Sequence, residues 1–153
     1  MKKEHIPVIV WLCSGCLLIF TMVIVGGITR LTGSGLSMVD WNLFMGAIPP
    51  MNHQQWLEAF EHYKQFPEFQ QKNYLFSLPE FKNIFFWEYI HRLLGRFIGL
   101  VFIIPFICFL IKKTLSKKLI LQCSLLLIMG GAQGFIGWWM VKSGLVNNPD
   151  VSH

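Results

Sequence analysis

Three long apolar stretches, separated by polar segments of very different length, organise the chain. They cover about residues 6–28, 83–111 and 119–141. Each is longer than the roughly 20 residues that an α-helix needs to cross the hydrocarbon core of a bilayer. The pattern therefore predicts an all-α, polytopic membrane bundle with three transmembrane helices.

The connections between these stretches predict an orientation. A long loop of mixed polar and aromatic residues covers about 29–82, whereas the connection at 112–118 is short and contains four lysines. Lys2 and Lys3 precede the first stretch. The positive-inside rule places these basic ends inside and the long loop outside. The net charge of +5 is thus mainly a topology signal, and no basic soluble face for nucleic acid is predicted.

The composition agrees with a membrane protein and excludes two other classes. Apolar residues make up 54% of the 153 residues and charged residues only 14%, against about a quarter charged in soluble domains. This excludes an ordinary water-soluble globule. It also excludes intrinsic disorder, because a disordered chain needs low hydrophobicity.

The cysteines lie within the predicted spans, and the long loop contains none. We predict that the C-x-x-C pair, Cys13 and Cys16, packs as small apolar residues, since a zinc site needs more ligands than one such pair. The four are Cys13, Cys16, Cys108 and Cys123.

The long loop carries the pattern of a short amphipathic helix within residues 52–66. Trp56, Phe60 and Tyr63 recur at helical spacing, and Asn52 precedes them as a predicted N-cap. We expect this helix to pack on the bundle or on the membrane surface.

A second helix start occurs at the end of the loop. Ser77 and Glu80 have the spacing of a capping box, in which the glutamate reaches back to the cap. The second membrane helix is therefore predicted to begin near Leu78, outside the membrane, and to run to Ile111. At 1.5 Å per residue it is about 50 Å long.

Four ionisable side chains stand in the second apolar stretch, where a membrane helix normally has none: Glu88, His91, Arg92 and Arg96. Such residues are costly in a membrane and mark functional sites. Glu88, His91 and Gly95 share one helix face. An imidazole next to a glycine on that face suits a planar macrocycle whose iron is bound by the histidine.

The spacing alone fits a second interpretation, a packed polar cluster without a cofactor. Glu88 precedes Arg92 by four residues, the favoured order for an ion pair within a helix. Arg92 and Arg96 are also long enough to snorkel to the membrane surface. Both interpretations stay open at the level of spacing.

Three ordered segments closely resemble the heme A synthases. The segment 88–96, EYIHRLLGR, is similar to the E-Y-x-H-R-x-x-G-R motif of that family's second helix. A further segment at 65–69, QFPEF, resembles the mitochondrial and proteobacterial branch. The remaining two of the three ordered segments are VGGITRLTGSGLS at 25–37, followed by Trp41, and QGFIGWWMVKSGL at 133–145.

The resemblance implies an activity and a fold. It implies heme A biosynthesis, in which a methyl group of heme O is oxidised to a formyl group for the assembly of cytochrome c oxidase. The implied fold has eight transmembrane helices in two four-helix halves, with heme O bound in the N-terminal half and heme b in the C-terminal half.

The resemblance also implies roles for individual residues. His91 matches the helix-two ligand of the heme iron, and Glu88 matches the catalytic glutamate beside the methyl group. A carboxylate there would stabilise a developing cation electrostatically or trap it covalently. We expect Arg92 or Arg96 to meet the heme propionates and Gly95 to lie against the macrocycle.

The chain differs from the family in length. It ends at His153, before the family's fourth helix and its second axial histidine. We therefore expect residues 1–153 to form a truncated N-terminal half, three transmembrane helices of an incomplete four-helix half, that is inactive alone.

The expected surroundings follow from the same resemblance. The membrane is either a bacterial plasma membrane or a mitochondrial inner membrane. Expected partners are heme, membrane lipid, the C-terminal half or other copies, heme O synthase and an electron donor, with no nucleic acid. The alternatives are a b-type heme-binding electron-transfer subunit and a structural membrane subunit without a cofactor.

Overall fold

The computed structural model describes residues 6–39 and 48–146. Within these ranges the chain forms five helices and no strand, and three of the helices are long and apolar enough to cross a membrane. The prediction of an all-α architecture with three membrane helices is confirmed. The helices are α1 (Ile6–Leu31), α2 (His53–Tyr63), α3 (Pro67–Gln71), α4 (Leu78–Ile111) and α5 (Lys117–Val146).

The described residues divide into two compact units. One comprises residues 6–24 and 94–136, and the other comprises 25–39, 48–93 and 137–146. We call them the basal unit and the site unit. The three long helices contribute residues to both.

In the basal unit, a tryptophan of α1 is surrounded by aromatic residues of α4. The Trp11 Nε1–H donates to the carbonyl oxygen of Val101 at 2.9 Å, and its ring lies 5.1 Å from that of Phe102. Phe106 and the buried Cys123 of α5 belong to the same core. A buried indole N–H needs such an acceptor, because an unpaired donor in an apolar interior costs about 1–3 kcal/mol.

In the site unit, the core is an aromatic cluster that joins the loop helices to the first turns of α4. The Phe81 ring stacks at 5.1 Å on both Phe60 and Tyr63 of α2. Trp56 packs edge-on against Phe85 at 5.0 Å. The side chains of Trp56, Phe60 and Tyr63 thus pack against α4. The prediction of a short amphipathic helix is confirmed.

Both predicted helix starts in the loop are present. The Asn52 side chain accepts a hydrogen bond from the Gln55 N–H at 2.8 Å, as an N-cap does. The Glu80 carboxylate accepts from the Ser77 N–H at 2.6 Å and from its hydroxyl at 2.7 Å. α4 accordingly begins at Leu78, as predicted.

Some predictions concern residues that the structure does not describe. Lys2, Lys3, Trp41 and the chain end at His153 lie outside the described residues.

Of the cysteines, only Cys123 is buried, and the other three are exposed free thiols. The packing against protein that was predicted for Cys13 and Cys16 is therefore absent among the residues that the structure describes.

Candidate functional site

The centre of the site unit is a buried carboxylate. Glu88 on α4 is 2% exposed, and it lies in a helix of mainly apolar residues. Its Oε2 accepts hydrogen bonds from the Ser37 hydroxyl at 2.6 Å and from the Met38 N–H at 2.8 Å. A charged group at this burial is tolerated only when it is paired and hydrogen-bonded, and Glu88 is both.

The cation of this pair is Arg92, one turn further along α4. Its Nη2 contacts Glu88 Oε1 and donates to the Met38 carbonyl oxygen at 3.1 Å. The ion pair that the four-residue spacing suggested is present. Because Arg92 contacts both the carboxylate and the backbone beside it, one guanidinium fixes α4 to the segment after α1.

A tight turn at the end of α1 brings that segment to Glu88. Gly33 has φ of 62°, in the left-handed region that glycine adopts at little cost. The Ser34 N–H bonds back to the Thr29 carbonyl oxygen at 2.9 Å, which closes the helix end. Residues 34–38, which we call the clamp segment, then run past α4, where Ser37 and Met38 are buried.

His91 lies one turn after Glu88 on α4 and is half-buried. Within the described ranges, its imidazole makes no hydrogen bond. Gly26 of α1 faces it, since a Cβ built on Gly26 would lie 3.4 Å from His91 Nε2. Because Gly26 has no side chain, α1 lies close to this edge of the imidazole.

The remaining two predicted site residues belong to the basal unit. A Cβ built on Gly95 would lie 3.4 Å from Met22 Cε, so α1 approaches α4 closely there. The Nη1 atom of Arg96 is buried. The structure thus brings Glu88, His91 and Arg92 together in the site unit, while Gly95 and Arg96 are described with the other unit.

A second buried carboxyl lies in the site unit, on α3. Glu68 is 1% exposed, and neither of its side-chain oxygens has a hydrogen-bond partner among the described residues. Burial, and next the negative charge of Glu88, raise the pKa of Glu68 to about 8. Glu68 is therefore a neutral acid at pH 7.

A tyrosine accompanies this carboxyl. Tyr63 is fully buried, and its hydroxyl oxygen accepts a hydrogen bond from Asn73 Nδ2 at 2.8 Å. Burial is the main cause that raises the pKa of Tyr63 above its usual value, and the negative charges of Glu68 and Glu88 act in the same direction. The three groups are therefore electrostatic neighbours.

The sequence left several of these residues without a role. Ser37 ends the segment that resembles the heme A synthases and Met38 follows it, but only their contacts with Glu88 reveal what they do. The one sequence signal for the burial of Glu68 was its position between two phenylalanines. This signal is weak, because loop glutamates are usually solvated. No group of three or more metal-ligand side chains occurs in the part of the chain that the structure describes.

Comparison with known proteins gives a consistent result. The model of a family described as cytochrome oxidase assembly protein, COX15-CtaA, matches residues 9–153. The heme A synthase of Flavobacterium johnsoniae is 57% identical over the whole chain, which covers 46% of that protein. The heme A synthase of Nitrosospira multiformis is 53% identical over 95% of the chain and 41% of its own length.

A third relative, the heme A synthase of Caulobacter vibrioides, is 51% identical over 95% of the chain and 43% of its own length. The chain thus spans less than half the length of these curated relatives. No solved structure matches.

Proposed function

This chain belongs to the cytochrome oxidase assembly protein family COX15-CtaA, and from that premise we propose that it forms the heme O-binding part of a heme A synthase. Heme O is the substrate, and the reaction oxidises one of its methyl groups to a formyl group. The observation that carries the proposal is the buried Glu88 carboxylate one turn from His91, held by Arg92 and the clamp segment.

The chain is a multi-pass membrane protein with three apolar helices long enough to span a bilayer. We propose that the lysine-rich connection between α4 and α5 lies inside and that the loop carrying α2 and α3 lies outside. Glu88 and His91 are then in the outer half of α4. A heme bound there would lie on the side that faces away from the basic connection.

His91 is the residue proposed to bind the iron. Its imidazole makes no competing hydrogen bond among the described residues, and Gly26 adds no side chain at Nε2. A neutral imidazole on an apolar helix is a common axial ligand of heme iron. The absence of a competing hydrogen bond supports His91 as the ligand, and the iron would supply the oxidation chemistry once heme is bound.

Glu88 is the residue proposed to stabilise positive charge that develops at the methyl group. Both carboxylate oxygens already accept hydrogen bonds, Oε1 from Arg92 and Oε2 from Ser37 and Met38. A carboxylate held in this way needs no reorganisation during the reaction, which is the condition for strong electrostatic stabilisation.

The two arginines have different proposed roles. Arg92 is committed to Glu88 and the Met38 carbonyl, so we assign it to the carboxylate rather than to a heme propionate. Propionate binding by Arg96 and macrocycle packing at Gly95 stay predictions from the sequence. So do a heme b in a C-terminal half, the contact with heme O synthase, and the electron donor.

A chimera tests the proposed function directly. Residues 1–153 replace the matching segment of the Flavobacterium johnsoniae heme A synthase, and this synthase chimera is expressed in a host that makes heme O but no heme A. We expect heme A in the extracted hemes and a Soret band in the purified protein. His91→Ala should remove the heme bound at this site, whereas His53→Ala, at an exposed position of α2, should have no effect.

Two results would contradict the proposal. The first is a synthase chimera that folds and binds heme but produces no heme A. The second is a heme spectrum and heme A yield that are unchanged by His91→Ala.

A further inference from the structure

The buried glutamate of α3 has no role in the account so far. Glu68 is 1% exposed, and both of its carboxyl oxygens lack hydrogen-bond partners within the described residues. An ionised carboxylate in such a place would cost several kcal/mol.

The position of Glu68 in the fold is fixed by the aromatic core. The neighbouring Phe69 packs edge-on against Phe60 at 5.8 Å and against Tyr63 at 5.7 Å. The Lys72 and Asn73 N–H groups both bond to the Glu68 carbonyl oxygen, at 3.0 and 3.1 Å. Its carbonyl oxygen and the following residue are therefore held in place, so its burial is built into the packing of α3.

The ionisable groups that surround Glu68 come from each element packed against it. Tyr63 lies on α2, Lys72 follows α3, and Glu88 lies on α4. Lys72 favours the ionised form of Glu68, but burial and Glu88 together outweigh it. Both carboxyls border the same aromatic core, since Phe69, next to Glu68, packs against the cluster that contains Met38, and the Met38 N–H donates to Glu88.

We propose that Glu68 is a positioning residue of the Glu88 site. It carries a proton next to the Glu88 carboxylate, so that Glu88 is the single negative charge there. The inference rests on the proposed function for its catalytic consequence. It does not require Glu68 to touch heme. When Glu68 loses its proton, two carboxylates repel each other in a poorly screened space and the hydrogen-bonded position of Glu88 is disturbed.

Infrared spectroscopy tests the protonation without any heme. Difference spectra of the synthase chimera between about pH 6 and about pH 10 should contain the loss of a carboxylic acid carbonyl band from a solvent-shielded group, because that window spans the pKa of about 8. Glu68→Gln should remove this signal. Glu61→Gln, at an exposed position on α2, is the matched control and should leave it.

The pH profile of heme A formation tests the catalytic consequence. We expect the rate in the unsubstituted chimera to fall as the pH rises through about 8, with the fall absent in Glu68→Gln and retained in Glu68→Asp and Glu61→Gln. A Glu68→Gln chimera with the same infrared change and the same pH profile as the unsubstituted chimera would overturn the inference.

The two readouts separate this inference from the proposed function. If the infrared band depends on Glu68 but no chimera makes heme A, the proton-bearing role stands and the proposed function fails. If heme A is made and neither readout responds to Glu68→Gln, the proposed function stands and the inference fails.

Discussion

The Oε2 atom of Glu88 lies 2.6 Å from the hydroxyl oxygen of Ser37, a residue 51 positions earlier in the chain. This contact connects the end of α1 to the middle of α4. It depends on the turn at Gly33, which reverses the chain toward α4. Together with the Met38 N–H and Arg92, it gives the carboxylate one fixed orientation.

Ser37→Ala tests whether this orientation matters for function. The substitution removes a hydrogen bond to a buried charged group, worth about 1.5–3 kcal/mol. We expect heme binding to persist in the synthase chimera while the rate of heme A formation falls about 10- to 100-fold. This range follows because about 1.4 kcal/mol of lost transition-state stabilisation lowers a rate tenfold. Ser143→Ala is the control, because the Ser143 hydroxyl donates to the Met140 carbonyl oxygen within α5 and to no other group among the described residues. Equal rates for both variants would contradict the assigned role of Ser37.

The ion pair between Arg92 and Glu88 predicts a non-additive effect on stability. Arg92→Met leaves the buried Glu88 without its cation and should lower the free energy of unfolding by about 3–5 kcal/mol. Adding Glu88→Gln removes the unpaired charge, so the double variant should be more stable than Arg92→Met alone. Thermal unfolding of this chain in lipid nanodiscs measures the cycle. Strictly additive effects would show that the two side chains do not interact.

The glycine that faces His91 predicts a dependence on side-chain size. A Cβ at position 26 would sit at ordinary contact distance, 3.4 Å from His91 Nε2, so Gly26→Ala should bind heme nearly as well as the unsubstituted chimera. Gly26→Leu should displace the imidazole and weaken the Soret band. Gly27→Leu is the matched control, since a Cβ on Gly27 would meet no atom within 4 Å. A Soret band equally strong in all three variants would mean that Gly26 does not shape the ligand position.

Glu68 predicts how stability depends on pH. Its pKa is about 4.5 in the unfolded chain and about 8 in the folded protein, so between these values the folded protein holds a proton that the unfolded chain has released. Stability therefore falls as the pH rises through this window, by up to about 1.4 kcal/mol per pH unit, and this contribution is constant above it. Glu68→Gln should flatten the slope and Glu61→Gln should not. Unfolding curves recorded across the window measure the difference.

The helices α1, α2, α4 and α5 were predictable because their causes are local, whereas α3 was not predicted. Apolar runs of sufficient length marked α1, α4 and α5, and the Asn52 and Ser77 caps marked where α2 and α4 begin. The Glu88–Arg92 pair was predictable for the same reason, since four residues along a helix bring side chains together.

The partners of Glu88 outside α4 were not predictable, because they depend on long-range packing. Ser37 reaches Glu88 only through the Gly33 turn and the alignment of α1 with α4. Glu68 is a similar case, because its burial comes from the packing of α3 against the aromatic core. A single sequence contains no local signal for either contact.

The most direct test of the account is the effect of Glu88→Gln on the hemes that the synthase chimera contains. The variant keeps the shape of the side chain and removes its charge. We expect heme to remain bound at His91, heme O to accumulate, and heme A to fall about 10²- to 10³-fold, the usual cost of losing one electrostatic stabiliser. Quantitative chromatography of the extracted hemes gives the ratio. A heme A yield that matches the unsubstituted chimera would contradict the central role of Glu88.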